Sequence, residues 1–298
     1  MNASEGGEAT VTYVYAVASP TDALRDRLGT LRGIADAPVR LLAGPGATGP
    51  DEEPDGPGAT GPDEEPAGLA FVVSPVPRAD FDETALKERF EDLAWLETVA
   101  RAHHDVVQAL AAHATVLPLR MATIYEDDER ARQALTDRYG TFAERLARLR
   151  ARTEYGVKIS LPPATADVTA GTAAPAREAD TAAPEPPTSP GKAYLQRRRV
   201  QHHAREAVHA QAQRAAAALE EIAARYASDR VRHAPQRGTL AGPAENVLND
   251  SYLVPDDQAE AFRAAVARAA EDFPDVRVDV TGPWAPYSFA MPPADSEP

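Results

Sequence analysis

The sequence of 298 residues predicts an α+β protein of two domains. Short apolar stretches that alternate with period two, as strands do, are mixed with longer stretches of helical period. Hydrophobic residues make up 43% of the chain, as in globular proteins, but 27 prolines indicate that part of its length lies outside any core. We predict an N-terminal α+β domain over 10–150 with a disordered acidic loop at 44–67. We predict a C-terminal domain over 151–290 with a disordered insertion at 162–190.

The N-terminal domain begins with the strand pattern VTYVYAV at 11–17. A helix is predicted in TDALRDRLGTLRG, strands in VRLLA and LAFVVSPV, a long helix over about 83–113, and an extended piece followed by a helix in TVLPLRMATIYEDDERARQAL. Trp95, Val99 and Val106 lie off the main apolar stripe of the long helix. These three residues either present a second hydrophobic face to a partner or pack on another side within the domain.

The C-terminal domain has the predicted order β-α-β-β-α-β. Its elements are YGVKISL, a helix over about 192–227, DRVRHAP, ENVLNDSYLVP, a helix over 256–272 and VRVDVTG. A heptad spacing within the first of these helices is too short for a free coiled coil, so one helix face is expected to pack on a sheet. The element order is that of a ferredoxin-like fold.

Charge and composition exclude several classes of protein. The net charge of −15 makes nucleic acid and anionic lipid poor partners unless basic residues cluster on one face. The chain has no cysteine, and therefore no disulfide, thiol nucleophile or Cys-based zinc site. The sequence contains no apolar run of 18 residues, and its start is polar and acidic, so we expect a cytoplasmic location.

The acidic loop is a tandem repeat of GPGATGPDEEP, at 44–54 and 56–66. Gly44, Gly46 and Gly49 spell the dinucleotide motif G-x-G-x-x-G after a predicted strand. Acidic residues and Pro50 follow directly, where a nucleotide site needs a helix N-terminus. We therefore interpret the repeat as a solvated loop rather than a nucleotide site.

No catalytic or metal-binding constellation emerges from the sequence. His103 and His104 are adjacent and point about 100° apart on a helix, while His202 and His209 are about 10 Å apart along theirs. Neither pair suits a single metal, so structural or solvated histidines are expected. We predict no catalytic residue, no metal and no cofactor.

Two charged clusters remain as candidates with ordinary explanations. The acids at 126–129 are either a catalytic carboxylate pair or, more simply, the first turn of a helix. Arg197–Arg199 either bind an anion or form a solvated surface. RNA binding is disfavoured because ENVLNDSYLVP has one aromatic and no basic residue.

Five unusual segments follow one another along the chain, and the last of them is TGPWAPYSF at 281–289. Together they resemble the gas vesicle protein F/L family, GvpF/GvpL. TGPWAPYSF at 281–289 is similar to the C-terminal G-P-W-P-P-Y-x-F signature of this family. Further similar segments, in order, are TYVYAV, LPLRMATIYEDDE, YGVKI with GKAYLQRRR, and LNDSYLVP. The departures include Met121-Ala122 for Phe-Gly, Tyr155 for Trp, Asp250-Ser251 before Tyr252, and Ala285 for Pro. The resemblance spans about residues 10–290.

The resemblance implies an accessory protein of gas vesicle assembly, with two α+β domains of which the second is a modified ferredoxin-like fold with long helices. The implied partners are the apolar shell protein and other accessory proteins, with neither nucleic acid nor membrane, and the implied location is the gas vesicle in the cytoplasm. Signature residues with a structural or partner-facing role are Arg120, Tyr194, Tyr252, Gly282, Trp284 and Tyr287. The alternative is an enzyme or ligand-binding protein with an inter-domain pocket.

The C-terminal aromatic residues pose a separate question. Pro283 and Pro286 are expected to stiffen a turn after the last strand. Trp284, Tyr287 and Phe289 then fold back, become buried and cover part of the second domain. The opposing interpretation is an exposed proline motif that binds a partner.

Overall fold

A computed structural model describes residues 9–44, 68–162, 190–234 and 244–290. They form a mixed fold of helices and strands in two compact units. The first unit contains the described residues within 1–155, 253–256 and 282–298, and the second those within 156–252 and 257–281. Apart from their end residues, the predicted disordered segments 44–67 and 162–190 lie outside the described residues.

The first unit contains a five-stranded sheet and seven α-helices among its described residues. The strands are β1 (Thr10–Ala18), β2 (Arg40–Ala43), β3 (Ala70–Pro77), β4 (Val116–Pro118) and β5 (Ile124–Tyr125). The first six helices are α1 (Asp22–Leu28), α2 (Arg78–Phe81), α3 (Glu83–Arg89), α4 (Leu93–Ala111), α5 (Asp128–Asp137) and α6 (Tyr139–Leu149). The strand order is β2-β3-β1-β4, with β5 also beside β1.

Strand β1 lies at the centre of this sheet and is buried from Val11 to Ala18. It pairs antiparallel with β3 over its whole length, with a bulge between Val14 and Ala16, and antiparallel with β4 and β5. One apolar cluster joins Tyr13 and Tyr15 to residues of α4, and a second joins Val14 and Val17 to residues of α5 and α6. Helices therefore cover both faces of the sheet, which explains why a central antiparallel strand is apolar on both sides.

The helix predicted over 83–113 is two helices, α3 and α4. The chain breaks between them because Asp92 caps α4, accepting hydrogen bonds from the backbone N–H groups of Ala94 and Trp95 at 3.0 and 3.1 Å. Asp82 caps α3 in the same way. Helix α6 has no counterpart among the predicted elements.

The remaining elements follow in the order strand, helix, strand, strand, helix, strand. They are β6 (Arg152–Leu161), α7 (Pro190–Tyr226), β7 (Asp229–Arg232), β8 (Glu245–Pro255), α8 (Ala259–Glu271) and β9 (Arg277–Trp284). The second sheet has the order β7-β8-β6-β9. A short helix, α9 (Tyr287–Ala290), ends the described chain within the first unit. Among the described helices, none is both long enough and apolar enough to cross a bilayer.

Helix α7 buries one stripe in the second unit and packs against α8. The buried residues of the two helices are Ala212, Ala215, Leu219, Ala223, Phe262 and Val266. The heptad spacing of α7 thus reflects packing within the unit. Arg230 of β7 forms ion pairs with Glu220 of α7 and with the fully buried carboxylate of Asp250 on β8.

Candidate functional site

Helix α4 carries the core of the first unit on one face and an open surface on the other. Its buried residues are Val99, His103, Val106, Val107 and Leu110. Val99 and Val106 therefore pack within the unit and do not form the second hydrophobic face for a partner that the sequence allowed. Trp95 also packs within the unit, because its ring centroid lies 5.4 Å from that of Phe81. On the outer face, Leu93 is 79% exposed.

The C-terminal segment 282–290 is bound in the first unit by two polar side chains. The Gln108 side chain donates to the Pro283 carbonyl at 3.1 Å and accepts from the Ala285 N–H at 3.0 Å. The buried Glu154 carboxylate accepts from the Ser288 N–H at 2.9 Å and from the Ser288 hydroxyl at 2.6 Å. The expectation that the aromatic residues of this segment cover the second domain is wrong, since Ala285 and Tyr287 pack in the core of the first unit.

Gly282 begins this segment with a backbone that favours glycine. Its φ is +119°, and a Cβ built on it would lie 2.9 Å from the Glu154 carbonyl oxygen. The peptide bond from Gly282 to Pro283 is cis. The signature glycine is therefore required by conformation and by the close approach of β6.

Trp284 is 40% exposed, so the expectation that it is buried is wrong. Its ring lies over the outer face of α4, with its centroid 5.9 Å from that of His104. Tyr287 turns inward instead, stacking on His104 at 6.0 Å and reaching the buried His103 at 6.2 Å. Ala285 is buried and Tyr287 packs against the core, so these two residues point inward while Trp284 points outward.

A cavity of about 90 Å³ opens beside Trp284. Its lining includes Gln108, Ala111, Val116, Leu149, Trp284 and Pro286. Small-molecule sites measure about 300 Å³ or more, so this cavity suits an apolar side chain rather than a cofactor. Exposed Trp284 and this cavity together form an open apolar surface on the first unit, which we call the α4 surface.

Behind the α4 surface lies a buried polar cluster that holds its shape. The Tyr13 hydroxyl lies 3.0 Å from His103 Nδ1 and accepts the Ala122 N–H, while the Tyr15 hydroxyl accepts the Ile34 N–H. Burial lowers the pKa of His103 to about 4 and raises the pKa of Tyr13 and Tyr287. These groups are neutral near pH 7, and Tyr13 and His103 act as structural hydrogen-bonding groups.

The other sequence candidates have structural roles. Asp127 caps α5, accepting the Arg130 N–H at 2.8 Å. Asp128 accepts from Arg40 and from the Thr12 hydroxyl, both at 2.8 Å. The acids at 126–129 therefore form a helix start, as the simpler interpretation holds. Within the described part of the chain, no three metal-binding side chains group together.

The signature residues are not gathered into one site. Gly282, Trp284 and Tyr287 lie together at the α4 surface, and Arg120 is exposed at a turn elsewhere in the first unit. In the second unit, Tyr252 is buried and donates to Asp250 at 3.2 Å, whereas Tyr194 is 57% exposed on α7. Tyr252 and Gly282 have structural positions, while Arg120, Tyr194 and Trp284 face solvent.

Gln108, Glu154 and His104 were not predicted as parts of this surface. Their partners are more than a hundred residues away along the chain, and no local pattern marks such a contact. Ala285 offered one signal, because it stands where the similar family has proline. Its N–H, which proline lacks, is the group that donates to Gln108.

Comparisons with known proteins agree over nearly the whole chain. Residues 11–291 match the family model of the gas vesicle synthesis protein GvpL/GvpF. The chain is 38% identical to gas vesicle protein L of Streptomyces sp. (strain CB03234), covering 93% of this chain and 92% of that protein. It is 27% identical to gas vesicle protein F of the same organism, and the match covers 93% of this chain and 98% of that protein.

Solved structures share the fold. The crystal structure of the gas vesicle protein GvpF from Anabaena sp. PCC7120 matches with a TM-score of 0.58 at 16% identity, over 95% of this chain and 97% of that one. GvpF from Microcystis aeruginosa matches with a TM-score of 0.55 at 15% identity, over 94% and 99%. The chain therefore belongs to the gas vesicle synthesis protein GvpL/GvpF family.

Proposed function

We propose that this protein is an accessory factor of gas vesicle assembly that binds the apolar shell protein non-covalently. Membership in the GvpL/GvpF family implies a role in gas vesicle formation. A shell subunit apolar enough to hold gas would aggregate in water unless another protein covered it during assembly. That task requires apolar surface and no catalysis, and it places the protein in the cytoplasm at the growing vesicle.

The α4 surface is the observation that supports this binding role. The backbone on both sides of Trp284 is fixed by hydrogen bonds to the side chains of Gln108 and Glu154, and the Trp284 ring remains exposed. Aromatic residues beside a small apolar cavity are common centres of protein interfaces. Leu93 lies on the same side of α4, about 20° from His104 around the helix and about 16 Å from it along the axis, with the ion pair of Glu97 and Arg101 between them.

The finer architecture is part of the proposal. The strand order β7-β8-β6-β9 supports a modified ferredoxin-like second domain, in which the first strand of the unit is central. We propose that the first unit binds the shell protein and that the second is a separate domain.

The test is co-expression of the full-length chain with the shell protein, followed by pull-down. Trp284→Ala is expected to reduce the retained shell protein about tenfold, because it removes the aromatic contact at the centre of the surface. Leu93→Glu, at the far end of the same side of α4, is expected to reduce it less. Full-length chains are necessary, because cutting after residue 150 would separate the first unit from its own residues 282–290.

Ala264→Glu on α8 is the matched control, since it also places an acid at an exposed apolar position of a helix, outside both proposed surfaces. It should retain the shell protein as the wild type does. If all variants retain the shell protein equally, the α4 surface is not the binding site. If the wild type retains neither the shell protein nor another accessory protein, the assembly role itself is wrong.

A further inference from the structure

The described side chains in the first half of α7 are exposed on every side of the helix, unlike those in the rest of it. Each described side chain from Lys192 to Ala207 is exposed, residues 208–211 are half-buried, and the first fully buried residue is Ala212. A helix of this length gains little stability in water without packing. This segment, which we call the α7 arm, is therefore a surface available to a partner.

The α7 arm is basic on an acidic protein. Residues 192–207 contain five Lys and Arg residues and one acid, Glu206, for a net charge of +4. The whole chain carries −15, so the rest of it carries −19. Within the part of the chain that the structure describes, no ion pair neutralises Lys192, Arg198 or Arg199.

The basic residues share a face. At 100° per residue, Leu195, Arg198, Arg199, His202 and Arg205 fall within an arc of about 120°. As three consecutive residues, Arg197–Arg199 spread around the helix. Arg198 and Arg199 nevertheless share a face with Leu195, His202 and Arg205, which lie one and two turns away. Leu195, 60% exposed, adds an apolar contact at the end of this face.

The C-terminal end of this basic face already binds a carboxylate. Arg205 donates to Glu245 at 3.1 Å, and His209 Nε2 lies 3.9 Å from the same oxygen. Arginine forks match carboxylate geometry, so Arg198 and Arg199 can each receive an acid in the same manner.

We propose that the α7 arm docks an acidic segment of a partner protein, with carboxylates on Arg198 and Arg199 and an apolar side chain against Leu195. Nucleic acid and anionic membranes would also meet basic residues here. They are extended polyanions, however, and the −19 on the rest of the chain repels them at long range. An acidic protein segment is anionic only locally, and it can supply the apolar contact that Leu195 favours.

The test measures fluorescence anisotropy of a fluorescein-labelled peptide of Glu and Leu residues with the full-length protein. We compare Arg198→Gln/Arg199→Gln with the control Gln196→Glu/Gln201→Glu, which lowers the net charge equally but lies outside the basic face. The first variant should weaken binding about tenfold and the control less than about threefold. Raising NaCl from about 50 to about 200 mM should weaken wild-type binding.

Duplex RNA and phosphatidylserine vesicles are tested in parallel. The proposal is overturned by an absence of peptide binding, by equal weakening in both variants, or by tighter binding to RNA or vesicles than to the peptide. Circular dichroism provides a fold check, because both variants should keep the wild-type melting temperature.

Discussion

At the scale of single residues, Gly282 decides how the C-terminal segment reaches α4. Alanine there would meet both an unfavourable φ of +119° and a contact of 2.9 Å with the Glu154 carbonyl. Gly282→Ala should lower the free energy of unfolding by about 2 to 3 kcal/mol. Urea denaturation followed by Trp fluorescence measures this change, since Trp284 lies two residues away.

Gly140 provides the matched comparison. It lies within α6, and a Cβ there meets no atom within 4 Å. Gly140→Ala should be neutral or stabilise the protein by up to about 1 kcal/mol, because alanine favours helix. Equal unfolding free energies for both variants would mean that the turn at Gly282 is less constrained than its geometry indicates.

At the scale of elements, α4 combines a buried neutral histidine with an exposed surface. Burial lowers the pKa of His103 to about 4, whereas an unfolded histidine titrates near 6.5. Between these values the unfolded chain binds the extra proton, so stability is complete above pH 6.5 and falls as the pH decreases toward 4. We expect His103 to account for about 2 to 3 kcal/mol of this loss.

The measurement compares the unfolding free energy of wild type and His103→Gln from pH 7 to pH 4. The variant should show a shallower decrease than the wild type, because glutamine does not titrate. The exposed His202 is the control, and His202→Gln should keep the wild-type slope since the buried ring is still present. Parallel curves for wild type and His103→Gln would show that His103 does not control this pH dependence.

At the scale of the whole molecule, the acidic repeat is expected to be dispensable. Strands β2 and β3 pair antiparallel up to Ala43 and Ala70, and the Gly44 N–H donates to the Leu69 carbonyl at 3.0 Å. A short hairpin loop could therefore replace residues 45–67 without moving either strand. Closing a shorter loop costs less entropy, so the replacement should raise stability by about 1 to 2 kcal/mol.

The replacement also removes the seven acids of the repeat, changing the net charge from −15 to −8. Calorimetry of both chains at two salt concentrations separates the loop effect from the charge effect, since only the second is screened. A lower melting temperature at both salt concentrations would show that the repeat contributes to the folded state.

The sequence by itself determined the elements whose cause is local. Periodicity predicted β1, β3, β8 and the α7–α8 pair close to their observed bounds, because alternating or helical apolar spacing depends on neighbouring residues. The signature segments determined the family in the same way. The break between α3 and α4 was missed although its cause is also local, since a single aspartate cap interrupts an otherwise continuous helical pattern.

Only the tertiary structure decided which side chains face solvent and what holds the C-terminal segment. Val99 and Val106 are buried while Trp284 is exposed, yet all three are apolar residues that the local sequence does not distinguish. The contacts of Gln108 and Glu154 join residues more than a hundred positions apart, and their formation depends on how β6 and α4 are placed. Such placement results from packing summed over a whole unit, which no short stretch of sequence contains.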